Sequence, residues 1–185
     1  MPSNKIKLIG LFAFVSFTAC QSIALLFYGV RKPHPVPSNK IEKKASYLGI
    51  DTSLLYAIRQ EHYLILLQEI GTFPNIHIYD SNGYLYNYWE SPEECKSGAA
   101  RFIERLNPDS AYQRLRYSSF YRLQTQIERL NGKGFNLERL PPADYYAVIF
   151  WGTFMGKLNK QYVKPWIQVS QQNPNAKIHL TFVSC

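Results

Sequence analysis

The sequence predicts an α/β fold, a mixed β-sheet flanked by helices, and three observations carry that prediction. A strand, a helix and a second strand follow one another over residues 145–183, which is the pattern of a βαβ unit with two parallel strands. Alternating apolar residues around an Asp-Ser-Asn-Gly turn predict a β-hairpin over residues 76–88. A capping box with proline at the first helical position predicts a helix over residues 91–106.

The other elements follow from local patterns along the body. Residues 53–70 are predicted as a helix, because Asp51 and Ser53 can cap its start and Gly71 can end it. Residues 110–130 are predicted as another helix, because apolar side chains recur among Arg and Gln at helical spacing. In chain order, the remaining predictions are strands over 76–79, 84–88, 145–151 and 177–183, with a loop and a helix over 156–172.

Charge is concentrated at the N-terminus of the chain. The 185 residues carry 21 Lys and Arg and 13 Asp and Glu, a net charge of +8. Residues 1–50 hold seven of these basic residues and one acid, so the remaining body is close to neutral at +2. A nucleic-acid-binding protein normally carries its basic cluster on the folded body. We therefore expect no nucleic-acid partner, and the 46% hydrophobic composition excludes a wholly disordered chain.

Residues 1–30 are predicted to form a membrane anchor or a lipoprotein signal. From Leu8 to Val30 the chain has no formal charge, and a helix of that length extends about 34 Å, enough to cross a bilayer. The alternative is a bacterial lipoprotein signal ending in Phe-Thr-Ala-Cys, in which Cys20 would be lipidated. A cleaved secretory signal is a third interpretation. All three place the protein at a membrane or across it.

The residues after the anchor leave the orientation open. Lys and Arg are more numerous after the apolar stretch than before it, which favours a cytoplasmic body under the positive-inside rule. The signal-like start favours export instead. Residues 31–45 contain three prolines and are predicted as an extended linker, so the domain would occupy residues 46–185.

One segment of the body resembles a known family. Residues 148–158 resemble the segment with which thioredoxin-like proteins end their first central strand, Phe-Trp-Ala-x-Trp-Cys-Gly-x-Cys. Trp151, Phe154 and Gly156 fall on matching positions. Residues 134–140 also look like the lead-in of membrane-anchored members. The resemblance covers roughly a third of the chain and implies a thioredoxin-like mixed sheet; it also favours export, with a periplasmic body.

A second segment resembles the other half of that family. Phe73-Pro74 and the residues up to Gly83 are similar to the family's cis-proline and antiparallel hairpin, but they precede the βαβ unit instead of following it. The resemblance therefore implies a circularly permuted domain, with 110–130 as the connecting helix and Pro74 facing Met155. The hairpin would pair with strand 145–151 or 177–183. The alternative is that the sequence is a fragment.

The resemblance does not extend to redox chemistry at the family's site. Met155 and Leu158 stand where the two redox cysteines would be, and neither side chain can ionise or exchange a disulfide. What the resemblance implies instead is a surface, because related proteins bind extended peptide in a groove there. The expected apolar binding patch consists of Trp151, Phe154, Met155, Gly156 and Pro74. The competing interpretation is that these residues only complete the core.

The predicted function follows from these points. We expect a non-catalytic, membrane-anchored thioredoxin-like protein that acts as a binding or assembly component of a bacterial envelope complex, with the membrane and other envelope proteins as partners. The alternative is a thiol-disulfide active envelope protein. In that case Cys95 and Cys185 would pair as a disulfide or act as reactive thiols.

Histidines and glycines predict no cofactor or metal site. His34, His62, His77 and His179 show no metal-ligand spacing, and His77 and His179 are the pair that could meet across a sheet. The sequence has no phosphate-binding glycine loop and no Ser/His/Asp nucleophile signature. We therefore expect neither a metal nor a cofactor.

Overall fold

A computed structural model describes residues 27–88, 97–130, 134–135 and 140–185. The predicted anchor up to residue 26, with the lipidation candidate Cys20, and the predicted thiol Cys95 lie outside the described residues. The described chain is a mixed α/β structure with a seven-stranded sheet, which confirms the predicted class. Among the described helices, none combines the length and the apolar character needed to cross a membrane.

Seven strands and five helices make up the described fold. The strands are β1 Leu55–Ile58, β2 Asn75–Asp80, β3 Tyr84–Tyr86, β4 Arg114–Ser119, β5 Ile127–Arg129, β6 Tyr145–Trp151 and β7 Ile178–Ser184. The α-helices are α1 Ser38–Leu48, α2 Tyr63–Ile70, α3 Ser97–Glu104, α4 Phe120–Gln126 and α5 Lys164–Gln172. A 3₁₀ turn, Thr153–Met155, and a π-helix, Asn159–Val163, connect β6 to α5.

The strand order in the sheet is β4-β3-β2-β6-β7-β1-β5. The neighbours β6, β7 and β1 run parallel, and every other pair is antiparallel. At the centre, Ile149 of β6 pairs with Ile76 of β2 and with Phe182 of β7. Both faces of β6 are buried, which explains its near-continuous run of apolar residues. The predicted βαβ unit is therefore confirmed, and the hairpin pairs with strand 145–151.

Helices cover both faces of the sheet. One core joins α1, α3 and α5 to the sheet through buried side chains such as Leu48, Ile103 and Trp166. The other core joins α2 and α4 to the opposite face, with Leu66 and Phe120 as buried contacts. Burying one apolar stripe of each helix against the sheet gives a three-layer α/β/α arrangement.

The predicted hairpin turn between β2 and β3 is confirmed. The Gly83 N–H donates to the Asp80 carbonyl at 2.9 Å, which closes the turn. One carboxylate oxygen of Asp80 also accepts from the backbone N–H groups of Asn82 and Tyr84. The other oxygen pairs with the Arg114 guanidinium at 2.8 Å, and this contact links the turn to β4.

The helix predicted over residues 53–70 is wrong in its first half. Residues 55–58 form β1, and the helix α2 begins only at Tyr63. Leu55 and Tyr56 are buried and pair with Phe182 and Val183 of β7. A four-residue apolar run is compatible with either a helix or a strand. Here the residues form a strand because they pair with β7.

The helix predicted over residues 110–130 is wrong on both sides of a short helix, α4. Residues 114–119 form β4, which pairs with β3, and 127–129 form β5, which pairs with β1. Between them, the Ser119 side chain caps α4 by accepting from the Arg122 N–H. The connection that was expected to be one long helix therefore supplies the two edges of the sheet.

Two further predictions are corrected or only partly covered. The extended linker predicted over 31–45 runs into α1, because Ala45 and Leu48 are buried against the sheet and hold residues 38–48 in a helix. The helix predicted over 91–106 is described from Ser97 onward as α3. Residues 89–96 lie outside the described residues.

Candidate functional site

The two segments that carry the family resemblance lie side by side. The Phe73–Pro74 peptide bond, which comes just before β2, is cis as expected. The Phe73 ring lies edge-on to the Phe154 ring, with 6.1 Å between the ring centroids. The loop after β6 and the proline before β2 therefore meet at one end of the sheet, as the antiparallel pairing of these two strands requires.

The predicted binding patch is not an exposed surface. Trp151, Phe154, Met155 and Pro74 are buried, and Gly156 is half-buried. Residues 28–31, which we call the N-terminal cover, lie against the loop after β6. The Arg31 N–H donates to the Phe154 carbonyl at 2.8 Å, and the Lys157 N–H donates to the Tyr28 carbonyl at 2.7 Å. Trp151, Phe154 and Met155 belong to the buried apolar side chains, and a binding role for this patch stays a prediction.

Gly156 permits the close approach of the N-terminal cover. It has a φ of +53°, a conformation that side chains with a Cβ rarely adopt. A Cβ built there would collide with the backbone carbonyls of Tyr28 and Gly29. A glycine at this position is thus required by the backbone of the cover as well as by its own φ angle.

An apolar pocket of about 610 Å³ opens beside this loop. It lies beyond the carboxyl ends of three parallel strands: Ile58 ends β1, Cys185 follows β7, and Thr153 follows β6. Ligands of open α/β sheets bind at such carboxyl edges, and the volume is in the range of small-molecule sites. The lining residues are Pro33, His34, Pro35, Val36, Ile41, Ala57, Ile58, Gln60, Tyr63, Leu64, Thr153, Ser184 and Cys185.

Sequence reasoning missed this pocket. Its walls come from stretches that we predicted as an extended linker, 31–45, and as the start of a helix, 53–70. The signal that pointed to it was the carboxyl end of the strand over 177–183, because parallel strands bring such ends to one edge.

Cys185 is the one predicted thiol that the structure places. Its half-buried side chain lines the pocket as a free thiol, and its N–H donates to the Trp151 carbonyl at 2.9 Å. Burial raises the pKa of the Cys185 thiol well above its usual value. Desolvation, together with the nearby Cys185, also raises the pKa of Tyr63. The Cys185 thiol therefore stays protonated at neutral pH, which makes it a poor nucleophile.

The two strand histidines do not form a pair. His77 is opposite Val148 and His179 is opposite Tyr146, so β6 separates them on the same face of the sheet. The His77 ring lies edge-on to Phe150, and burial lowers the pKa of His77 to about 4. Within the described ranges, no group of three His, Cys, Asp or Glu residues is placed to hold a metal ion.

Comparisons with known proteins assign no function to this chain, so a functional proposal rests on the geometry of its structure. No protein-family model, no curated protein and no solved structure matches this chain.

Proposed function

We propose that the protein is a non-catalytic, membrane-anchored thioredoxin-like protein of the bacterial cell envelope, with a circularly permuted domain that binds a partner or ligand. The anchor is the apolar arm before residue 31, and the body is periplasmic. The apolar pocket beside the loop after β6 is the binding site.

The strand order β3-β2-β6-β7 is the observation that carries the fold part of the proposal. In it, a parallel pair joined by a helix, β6 and β7, is extended by an antiparallel hairpin, β2 and β3, that follows a cis-proline. The helices α5 and α3 lie on one face and α2 on the other. This is the arrangement that the resemblance implies, with the hairpin half placed first in the chain.

The chemistry of the site favours binding over catalysis. The resemblance places Met155 where the family has its first redox cysteine, and the Met155 side chain is buried. A thioether neither ionises nor exchanges with a disulfide. An apolar pocket opens at this end of the sheet, and such a lining suits a ligand that gains by leaving water.

Fractionation of cells that express the full chain tests the proposal. We expect the protein in the membrane fraction after an alkaline wash, with the body digested by protease added to spheroplasts. A body in the soluble fraction, or one protected from the protease, would contradict the proposal. The intact mass then separates the anchors: an uncleaved chain retains Met1, whereas a lipoprotein begins at an acylated Cys20 that a Cys20→Ala variant cannot form.

The alternative thiol function has its own test. Insulin disulfide reduction by the full chain is compared with that of Cys185→Ser and Cys95→Ser variants. We expect no activity above background, because the Cys185 thiol is protonated at neutral pH. Activity that both substitutions abolish would establish the alternative and overturn the non-catalytic assignment.

A further inference from the structure

We propose that the apolar pocket receives one acyl chain of an anionic phospholipid from the membrane that anchors the protein. The proposal rests on the membrane anchoring of the proposed function and adds a ligand class to it. It is carried by the lining of the pocket, by the charge on the segments that form its wall and by the place where the chain enters the fold.

The lining suits a hydrocarbon chain. None of the lining residues that the structure describes is Asp, Glu, Lys or Arg, and most of them are aliphatic or proline. Ile41 of α1, Ala57 and Ile58 of β1 and Leu64 of α2 supply apolar contacts. A methylene chain gains free energy for every group that it buries against such a wall.

Charge on the segments that form the wall suits an anionic head group. The segments that supply most of the wall, 31–44 and 57–64, carry six basic residues and two acidic ones. Arg31, Lys32, Lys40 and Lys43 are exposed and lie within two residues of a lining residue in the chain, so they are available to a phosphate beside these segments. Basic residues next to an anchor gain from anionic lipid in this way.

The pocket also lies close to where the bilayer would be. The uncharged stretch of the arm reaches Val30, and the lining begins at Pro33. The six Cα–Cα steps from Phe27 to Pro33 span at most about 22 Å even when fully extended. Leu64, at the pocket, and its neighbour Ile65 are 74% and 50% exposed, and Phe27 is 74% exposed. Exposed apolar side chains of this kind are unfavourable in water and would gain from contact with lipid.

Photolabelling of the full chain in lipid nanodiscs tests the proposal. The discs consist of phosphatidylglycerol with a trace of the same lipid carrying a diazirine at the end of one acyl chain. After illumination, we expect labelled peptides from two places: the N-terminal arm, and the pocket segments 57–64 and 184–185. Label on the arm alone would overturn the lipid-chain site.

Two matched pairs of variants locate the site. Ala57→Phe fills the pocket and should lower pocket labelling about tenfold, as for an acyl chain that buries two methylenes fewer. Ala111→Phe makes the same change at an exposed loop position and should label like the wild type. If Ala57→Phe does not fold, exposed Leu64→Gln tests the pocket, with exposed Leu115→Gln on β4 as its control. Equal labelling in the pocket variants and their controls would overturn the proposal.

The same experiment separates this proposal from the proposed function. Discs of phosphatidylcholine should give weaker pocket labelling, and equal labelling would overturn selection for an anionic head group. A chain that does not enter the discs contradicts the anchoring. In that case the photoreactive lipid is added in detergent micelles: pocket labelling would support the site without the anchor, and its absence would overturn both.

Discussion

His77 shows how the fold changes the chemistry of one residue. Its ring contacts Phe150 at a centroid distance of 4.9 Å, and one ring nitrogen lies 3.3 Å from the Tyr79 hydroxyl. A cavity of about 10 Å³, the size of one water molecule, lies between this ring and the Glu69–Arg122 ion pair. Burial makes the protonated form of His77 unfavourable, so its pKa falls to about 4.

The first prediction concerns stability at acid pH. The unfolded chain binds a proton at His77 below about pH 6.5, whereas the folded chain does so only near pH 4. The stabilisation that depends on neutral His77 is therefore fully present above pH 6.5. It is lost as the pH falls from about 6.5 to about 4. The loss is about 3 kcal/mol at pH 4, measured by urea unfolding.

A phenylalanine at this position provides the comparison. His77→Phe keeps a ring against Phe150 but cannot bind a proton, so its stability should fall less between pH 7 and pH 4. His179 contributes in the same direction, because burial and Lys177 lower its pKa. The remaining pH dependence of the variant should therefore shrink further with His179→Phe. Identical pH profiles for His77→Phe and the wild type would contradict the assignment.

The second prediction concerns Gly156 under the N-terminal cover. Gly156→Ala should destabilise the protein by about 1–3 kcal/mol and should increase proteolysis at Arg31, because the added Cβ displaces Tyr28 and Gly29. Gly49→Ala is the matched control. Gly49 also has a positive φ, +80°, but its Cβ would meet nothing within 4 Å. Equal proteolysis at Arg31 in the two variants would show that the cover does not depend on Gly156.

At the scale of the elements, Asn173 connects α3, α5 and the turn before β7. Its side-chain amide donates to the carbonyls of Ile103 and Leu106 at 2.6 and 3.2 Å, at the end of α3. Its carbonyl oxygen accepts from the backbone N–H groups of Asn175 and Ala176, in the turn from α5 to β7. One polar side chain thus connects the end of α3 to the turn that leads from α5 to β7.

The third prediction follows from those contacts. Asn173→Ala should lower the free energy of unfolding by about 1–3 kcal/mol, since it removes hydrogen bonds to partly buried carbonyls. The control, Asn175→Ala, removes an exposed side chain of the same kind and should change stability by less than about 0.5 kcal/mol. Both values come from thermal or urea unfolding, and similar losses would contradict the role of Asn173.

The elements also show which features the sequence can predict. The four central strands, β3, β2, β6 and β7, were predicted because their own residues alternate or form a buried apolar run. The strands β1, β4 and β5 were predicted as parts of helices. Residues Leu55–Ile58 form a strand because they pair with β7, which lies more than 120 residues away in the chain. The local sequence pattern of these four residues does not indicate that pairing. In the described sheet, β4 and β5 are the edge strands, and each pairs with one of the other six strands, so they need little apolar sequence.

At the scale of the whole molecule, the site depends on contacts between distant segments. The two segments that the resemblance singled out, the loop after β6 and the residues around Pro74, meet through Phe154 and Phe73. It could not predict that residues 28–31 cover the loop, because that contact is made by backbone groups. The pocket beside the N-terminal cover is lined in part by β1. Because residues 53–70 were predicted as a helix, this pocket could not be predicted from the sequence.

The sheet order gives the last prediction, which concerns cooperativity. The N-terminal strands form two separate groups, β4-β3-β2 and β1-β5, on opposite sides of the C-terminal pair β6 and β7, so they belong to one sheet only through that pair. We therefore expect a single unfolding transition in urea, with coincident curves from tryptophan fluorescence and circular dichroism.

Ile149→Ala removes a fully buried side chain from β6 and should shift both curves together, by about 2–5 kcal/mol. Ile65→Ala, at a half-exposed position on α2, should shift neither by more than about 0.5 kcal/mol. Separated curves would mean that the groups β4-β3-β2 and β1-β5 unfold independently of β6 and β7, and they would contradict this prediction.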